Sequence, residues 1–360
     1  MAAATPSQSS SRANGGPRAR TFVRTRPHGF TLGQMNPAKL LLLFAMLGAA
    51  AFAQTSDYRL ALPDHSGLLK WSVDGFKIVE NSAKPNGHES GVRGASAQVR
   101  FLGFLFLAPE SAPMTSTTCR DAAMTQERKT NVTLKITKTS DIPRTEGFPV
   151  ALTTYTTANR DGSLSYAVRG FVATGDTCGD LAFYSGKPIT EDSEDLKRAF
   201  QSLQLDPHYE PQFADLATYA QVLFQTHQYQ AAAPLFEKAF STVPGDGAPF
   251  KSATIARRIM RDQAGMSYGI AGDFAKARRI FEKGTADDPD YPMNYYNLAC
   301  ADAGEKKLSD ARVHLQQAFD RKGNMNAGET MPVPTQDDSF LPYKDNKDFW
   351  AFLQRLQGTK

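Results

Sequence analysis

The densest grouping of chemically capable side chains is Pro63-Asp64-His65-Ser66, where a carboxylate, an imidazole and a hydroxyl follow one another. Those are the residue types of nucleophilic acyl transfer: the hydroxyl attacks, the imidazole takes its proton and the carboxylate orients the ring. Immediate neighbours do not reach that reciprocal geometry, so the segment is expected to be a loop turn. The later histidines, His88, His208, His227 and His314, are scattered, and none has the spacing of HExxH metal ligands. GxSxG, GxxxxGK and GxGxxG are absent, which removes the nucleophile elbow, the phosphate loop and the dinucleotide fingerprint. No metal, cofactor or catalytic residue is expected. An enzyme with an unfamiliar site in the N-terminal half stays open as an alternative.

The three cysteines divide by context. Cys300, in YNLACA, is expected to be a small apolar filler. Cys119 and Cys178 lie in CRD and CGD, without CxxC spacing or a nearby histidine that would suggest zinc. Whether they meet an oxidising compartment depends on the amino end. Met35 opens NPAKLLLLFAMLGAAAFAQ, with Lys39 before an apolar run and small residues before Gln54. Residues 35–53 are expected to be a secretory signal peptide cleaved near Ala53 and Gln54. The apolar run Leu40–Ala53 is short of the ~20 residues of a membrane span, although an uncleaved anchor stays open. Residues 1–34 are expected to be a disordered extension, or to be absent if translation starts at Met35. A periplasmic or secreted bacterial location follows, and with it a Cys119–Cys178 disulfide.

The leader also decides the charge argument. The chain is formally +4 with a pI of about 8.8. Its first 53 residues hold six basic and no acidic residues, so the remainder has 35 basic against 37 acidic. Nucleic acid is therefore not an expected partner.

Two segments must position whatever function exists. From residue 56 to about 205, short β-rich runs predominate: Gln98–Ala108, Asn131–Lys138, Pro149–Thr157, Ser163–Ala173 and Asp180–Tyr184. Asn159-Arg160-Asp161-Gly162 reads as a hairpin turn, and helices are expected at Ser116–Arg128 and Ser193–Leu203. An α+β domain with an antiparallel sheet and packed helices is predicted. Its order of sheet and terminal helix is similar to that of PsbP-like periplasmic domains, on topology alone.

Beyond Pro207 the pattern becomes helical and repeats. Gly265, Tyr268, Gly272, Ala277, Phe281, Gly284 and Pro289 mark one unit. Ala311, Leu315 and Ala318 reproduce the spacing of Ala277, Phe281 and Gly284 one unit later, and Ala232, Phe236 and Ala239 reproduce it one unit earlier. The later interval resembles that of the tetratricopeptide repeat, a helical hairpin of about 34 residues. The resemblance implies units at 213–246, 258–291 and 292–325, then a loop and capping helix over 326–360, with Phe340-Leu341-Pro342 tucked beneath. The earlier interval is longer by about 11 residues, close to three whole helical turns and therefore in phase. That excess implies a lengthened first helix of the second unit, within Pro249–Ala271. Asp290 is the expected N-cap of the third unit. His227 falls at the inter-helix turn, where glycine is usual.

Such an array implies a concave groove lined by the first helix of each hairpin. The groove set is Ala217, Gln221, Phe224 and Gln225, then Ile259, Asp262, Met266 and Ile270, then Met293, Tyr296 and Cys300. From it, Gln221, Phe224, Asp262, Met266, Met293 and Tyr296 are the expected contacts to a partner protein or peptide. The Lys/Asn set that clamps a peptide carboxylate in some members is absent. Arg257, Arg258 and Arg261 could dock an acidic partner, or form a solvated face balanced by Asp262 and Asp273. The expectation is an exported, non-catalytic adaptor. The alternative is a ligand-binding head whose arm serves only assembly.

Overall fold

A computed structural model describes residues 57–108, 113–245 and 252–358. The extension 1–34, the leader 35–53 and Pro249 lie outside the described residues. Among those described, no helix is long and apolar enough to cross a membrane.

The head begins with β1 (Asp57–Ala61), β2 (Leu68–Ser72), β3 (Lys77–Ala83), β4 (Glu89–Ala95) and β5 (Val99–Leu107), followed by α1 (Ser116–Thr130). Then come β6 (Lys135–Ile142), β7 (Val150–Ala158), β8 (Leu164–Thr174) and β9 (Thr177–Ser185), α2 (Glu194–Ser202) and β10 (Gln204–Asp206). Seven strands form an antiparallel sheet in the order β3-β4-β5-β9-β8-β7-β6, and a second sheet runs β1-β2-β10. On one face Phe101, Leu105, Val168, Val172, Leu181 and Phe183 meet Leu69 and Trp71 of the small sheet and Phe200 of α2. On the other, Phe171, Ala173 and Cys178 meet Cys119 of α1.

Covering both faces explains why β8 and β9 are buried almost without interruption, Arg169 and Asp180 included, rather than on alternate residues. Strand glycines admit the large side chains of the covering layer. A Cβ on Gly103 would lie 2.6 Å from the Trp71 ring, and one on Gly170 2.6 Å from Phe200. The Cys119–Cys178 disulfide ties α1 to β9 with Cα atoms 6.2 Å apart. Both sheet edges are bulged, between Ile78 and Glu80 in β3 and between Ile136 and Lys138 in β6. Bulges and lysines at an edge disfavour pairing with a foreign strand.

Three expectations are corrected here. The strand expected from Asn131 starts at Lys135, because Asn131 is the C-cap of α1 and its N–H donates to Glu127 O. Strands β1 to β4 carry no strong sequence pattern: β3 is an edge strand with no buried residue, β1 and β2 are five-residue strands, and β4, ESGVRGA, is broken by two glycines. Asp290 is not the N-cap of the third hairpin; Tyr291 is, with Pro292 in the first turn. Proline pre-sets the helical φ there and needs no N–H partner.

The arm comprises α3 (Phe213–Gln225) and α4 (Tyr229–Ser241), α5 (Ala253–Ile270) and α6 (Phe274–Asp287), and α7 (Pro292–Gly304) and α8 (Leu308–Asp320), closed by α9 (Lys347–Gly358). The architecture is thus an α+β domain followed by an all-α solenoid of tetratricopeptide-like hairpins. Successive hairpins turn at His227, Gly272 and Lys306, all left-handed at φ 64°, 87° and 64°. The last two are one repeat period apart, so the turn recurs even where the side chain does not. Helix α5 has 18 residues against 13 in α3 and α7. It starts at the Ser252 cap, whose hydroxyl accepts from the Ile255 N–H at 3.3 Å.

The hairpins close on small residues. A Cβ on Gly265 would come within 2.2 Å of the Phe281 ring, and Ala277, Phe281 and Leu298 are buried in one cluster. Full burial of such a phenylalanine stabilises by roughly 1.5–3 kcal/mol. Phe340 and Phe349, both buried, seal the end of the array against Tyr296.

The head holds the arm through Tyr219 of α3, whose hydroxyl bonds Glu89 O and, at 3.2 Å, Lys84 O. Lys238 Nζ reaches Pro63 O at 2.6 Å, and Arg59 reaches both Asp215 oxygens at 3.0 Å.

Two outcomes follow from this packing. Replacing Cys119 and Cys178 by alanine opens a loop of sequence separation 59 and should lower head stability by about 4 kcal/mol on the chain-entropy model, read by denaturant unfolding with and without reductant. Ala277→Leu should destabilise the arm by about 1–3 kcal/mol, and an unchanged helical melting curve would contradict the tight contact.

Candidate functional site

The chemically capable residues of the head do not converge. His65 Nε2 lies 3.2 Å from Asp176, Ser66 bonds Glu210 instead, and Asp64 faces Lys238 at 3.7 Å. Each has a different partner, so no hydroxyl–imidazole pair exists in this turn. Among the described residues no group of histidine, cysteine and carboxylate side chains could hold a metal. Among the described residues, clefts of about 310 and 260 Å³ lie on the head and at its junction with the arm. The first lies along β1 and β2 beside Trp71, and the second at the head–arm junction beside Ser90 and Tyr219. Their charged groups are partly engaged: Asp57 accepts from Ser72, and Arg59 binds Asp215.

The first helices of the hairpins, α3, α5 and α7, carry the residues expected to line a groove, and those residues meet different fates. Phe224 is buried within its own hairpin, edge-on to Tyr229 and Phe236. Tyr296 is only 1% exposed, and its hydroxyl donates to Asp337 Oδ2 at 3.0 Å. Cys300 is buried beside it, with its thiol pKa pushed up by burial and then by Asp337. Met293 is half-buried against the closing aromatic cluster. The third hairpin's inner face is therefore covered by the chain's own segment after α8.

On α5, Ile259, Met266 and Ile270 are half-buried, and Gln263 falls between them on the same helical face. Gln263 is 3% exposed and its Oε1 has no hydrogen-bond partner; Gln221 of α3 is 7% exposed and its Nε2 has none. Gln263 was missed by sequence reading. The repeat register, counted one place past Asp262, puts it on the inner face and could have found it.

Asp262 is enclosed rather than presented. Asn297 Nδ2 donates to its Oδ1 at 3.2 Å. The Tyr291 hydroxyl lies 3.0 Å from its Oδ2 and 3.1 Å from Glu329 Oε2. Asn326 Nδ2 donates to Glu329 Oε1 at 2.9 Å, and Arg258 Nη1 donates to Asn326 Oδ1 at 3.0 Å. Burial, and then the Glu329 charge, push the Asp262 carboxyl pKa up to about 8. A single tyrosine proton serves one of the two carboxylates, and burial favours the protonated form of Asp262 beside it. Glu329 and Asn326 carry no repeat signal, and nothing in the sequence singled them out.

The basic patch is largely consumed by its own ion pairs. Arg258 binds Asp288 at 2.6 and 3.1 Å and lies over the Tyr291 ring. Arg261 binds Asp287 at 2.6 Å over Phe240. The balancing carboxylates for these two arginines are thus Asp287 and Asp288, while Asp273 pairs with Lys276. Arg257 points outward and is exposed.

No protein-family model and no curated protein matches the chain. Among solved structures it is similar to the Sgt2 TPR domain from Aspergillus fumigatus, at 17% identity and a TM-score of 0.29, covering 41% of this chain and 83% of that one. It is also similar to MamA from Desulfovibrio magneticus RS-1, at 18% identity and a TM-score of 0.31, covering 42% and 77%. The Yersinia enterocolitica type III secretion translocator chaperone SycD follows, at 15% identity and a TM-score of 0.28, covering 40% and 91%. These are likenesses only, and the arrangement of the hairpins stands on their own contacts.

The ion pairing separates two neighbouring arginines. Arg258→Glu should destabilise the arm by about 1–3 kcal/mol by leaving Asp288 and Asn326 without their partner. Arg257→Glu should change stability by no more than about 0.5 kcal/mol in either direction, and equal melting shifts for the two would contradict the pairing.

Proposed function

We propose that the chain is an exported, non-catalytic adaptor that holds an extended segment of a partner protein against the inner face of its helical arm. One observation carries this reading. Ile259, Met266 and Ile270 form a half-buried apolar stripe around Gln263, and the glutamines Gln263 and Gln221 each keep a buried amide atom without a partner. An extended peptide laid along this face covers the stripe with its side chains.

In this proposal Met266, with Ile259 and Ile270, contacts the partner, while Gln221 and Met293 lie beneath or beside that surface. Phe224, Asp262 and Tyr296 shape the face from beneath, and of the basic cluster Arg257 alone is placed to meet partner charge. Export is part of the same proposal. It is supported by the leader sequence at 35–53 and by the Cys119–Cys178 disulfide, a bond that persists in oxidising compartments.

The test uses the full mature chain as bait on an envelope extract, with the captured partner identified and its affinity measured. Ile259→Ser with Met266→Ser should weaken that affinity at least about tenfold, the equivalent of ~1.4 kcal/mol, while melting stays that of a folded arm. Undiminished capture by this variant, or capture abolished only by changes in the head, would overturn the proposal.

A further inference from the structure

The segment after α8 crosses the inner face of the second and third hairpins, and little apolar burial holds its first part. From 325 to 333 only Asn326 is buried, while Ala327, Gly328, Thr330 and Val333 are exposed. The attachment is polar and runs through Glu329 and Asn326 to Tyr291, Asp262 and Arg258. Farther on, Pro334, Asp337 and Phe340 are buried, and Thr335 accepts from Gln357 of α9 at 2.6 Å, so the distal end is anchored.

We propose that residues 325–333 are a proton-latched strap, closed while the Asp262–Tyr291–Glu329 trio holds its extra proton and open when that proton is lost. This rests on the inner-face reading above, because the strap shields Asp262, Tyr291 and Asn297 beside the stripe, and its opening enlarges the partner surface.

The charges around the trio support a latch rather than a static ion pair. From its own helix Asp262 is faced by Arg261, whose guanidinium is bound to Asp287. Arg258 is bound to Asp288. From α7 and its cap come Tyr291 and Asn297, and from the strap comes Glu329. Both nearby cations are already paired, so a second negative charge in the trio meets no free counter-charge. The Asp262 carboxyl, with its pKa raised to about 8 by burial, binds its proton more tightly folded than unfolded. Its stabilising contribution is therefore full below the ordinary carboxylate range and is lost as pH rises through about 8.

Amide exchange in the full chain tests this without any partner, so its failure and that of the adaptor reading are distinguishable. After correction for intrinsic base catalysis, protection at 325–333 should fall at least about tenfold between roughly pH 7 and 9.5, while α7 and α8 keep theirs. Asp262→Asn mimics the protonated acid and Glu329→Gln removes the charge that opposes a second one, so each should hold that loss to about twofold or less. If Asp262→Asn does not fold, Glu329→Gln, at a half-buried position, decides alone. Equal pH dependence in wild type and variant, no dependence in wild type, or exchange of the strap only together with α7 and α8 overturns the proposal.

Discussion

The close approach of helix pairs at residues too small to keep them apart is the constraint on which the arm depends. Gly265 faces the Phe281 ring without room for a methyl group, and Ala277 and Leu298 close around it. That contact brings α5 against α6, and the left-handed turn at Gly272 returns the chain to make it. Repeated at His227 and Lys306, the same turn closes the other two hairpins, and α5 packs along α7. Apolar residues absorbed by these contacts are unavailable for binding, and so Phe224 belongs to the core of its hairpin rather than to the groove.

The inner face is divided along its length by what covers it. At one end α3 leans on the head, with the Tyr219 hydroxyl at the backbone of β4 and of the preceding turn. At the other, Tyr296 and Asn297 are matched by Asp337 and by Asp262. Between them α5 keeps a half-buried stripe, and Gln263 and Gln221 each keep an amide atom without a partner. The polar trio of Asp262, Tyr291 and Glu329 joins α5 and the start of α7 to the segment after α8.

Head and arm obtain rigidity by different means. The head covers both faces of a seven-stranded sheet and adds a covalent tie between α1 and β9. The arm has no such tie among its described residues, and its stability is shared between neighbouring hairpins. Buried ion pairs supplement the packing there: Asp302, fully buried, accepts from Arg278 at 2.5 Å and lies 2.6 Å from His314 Nδ1, linking α6, α7 and α8. Removing one member of such a set costs far more than the set contributes, because the survivor is left as an unpaired buried charge.

The sequence alone determined the hairpins, because their contacts are made by residues a fixed number of positions apart and that number survives in the chain as a period. It also indicated where the head's central strands lie and that Cys119 and Cys178 could pair. It did not reveal β1 to β4, since an edge strand with no buried residue, two strands of five residues and one broken by two glycines leave no strong pattern. Only the tertiary structure decided which inner-face residues are reachable. Tyr291 and Glu329 are 38 residues apart and Tyr296 and Asp337 are 41 apart, and neither pairing carries a periodic mark. Exposure depends on every neighbour at once, whereas periodicity needs only the local helix, so the chain announces its scaffold and leaves its accessible surface to packing.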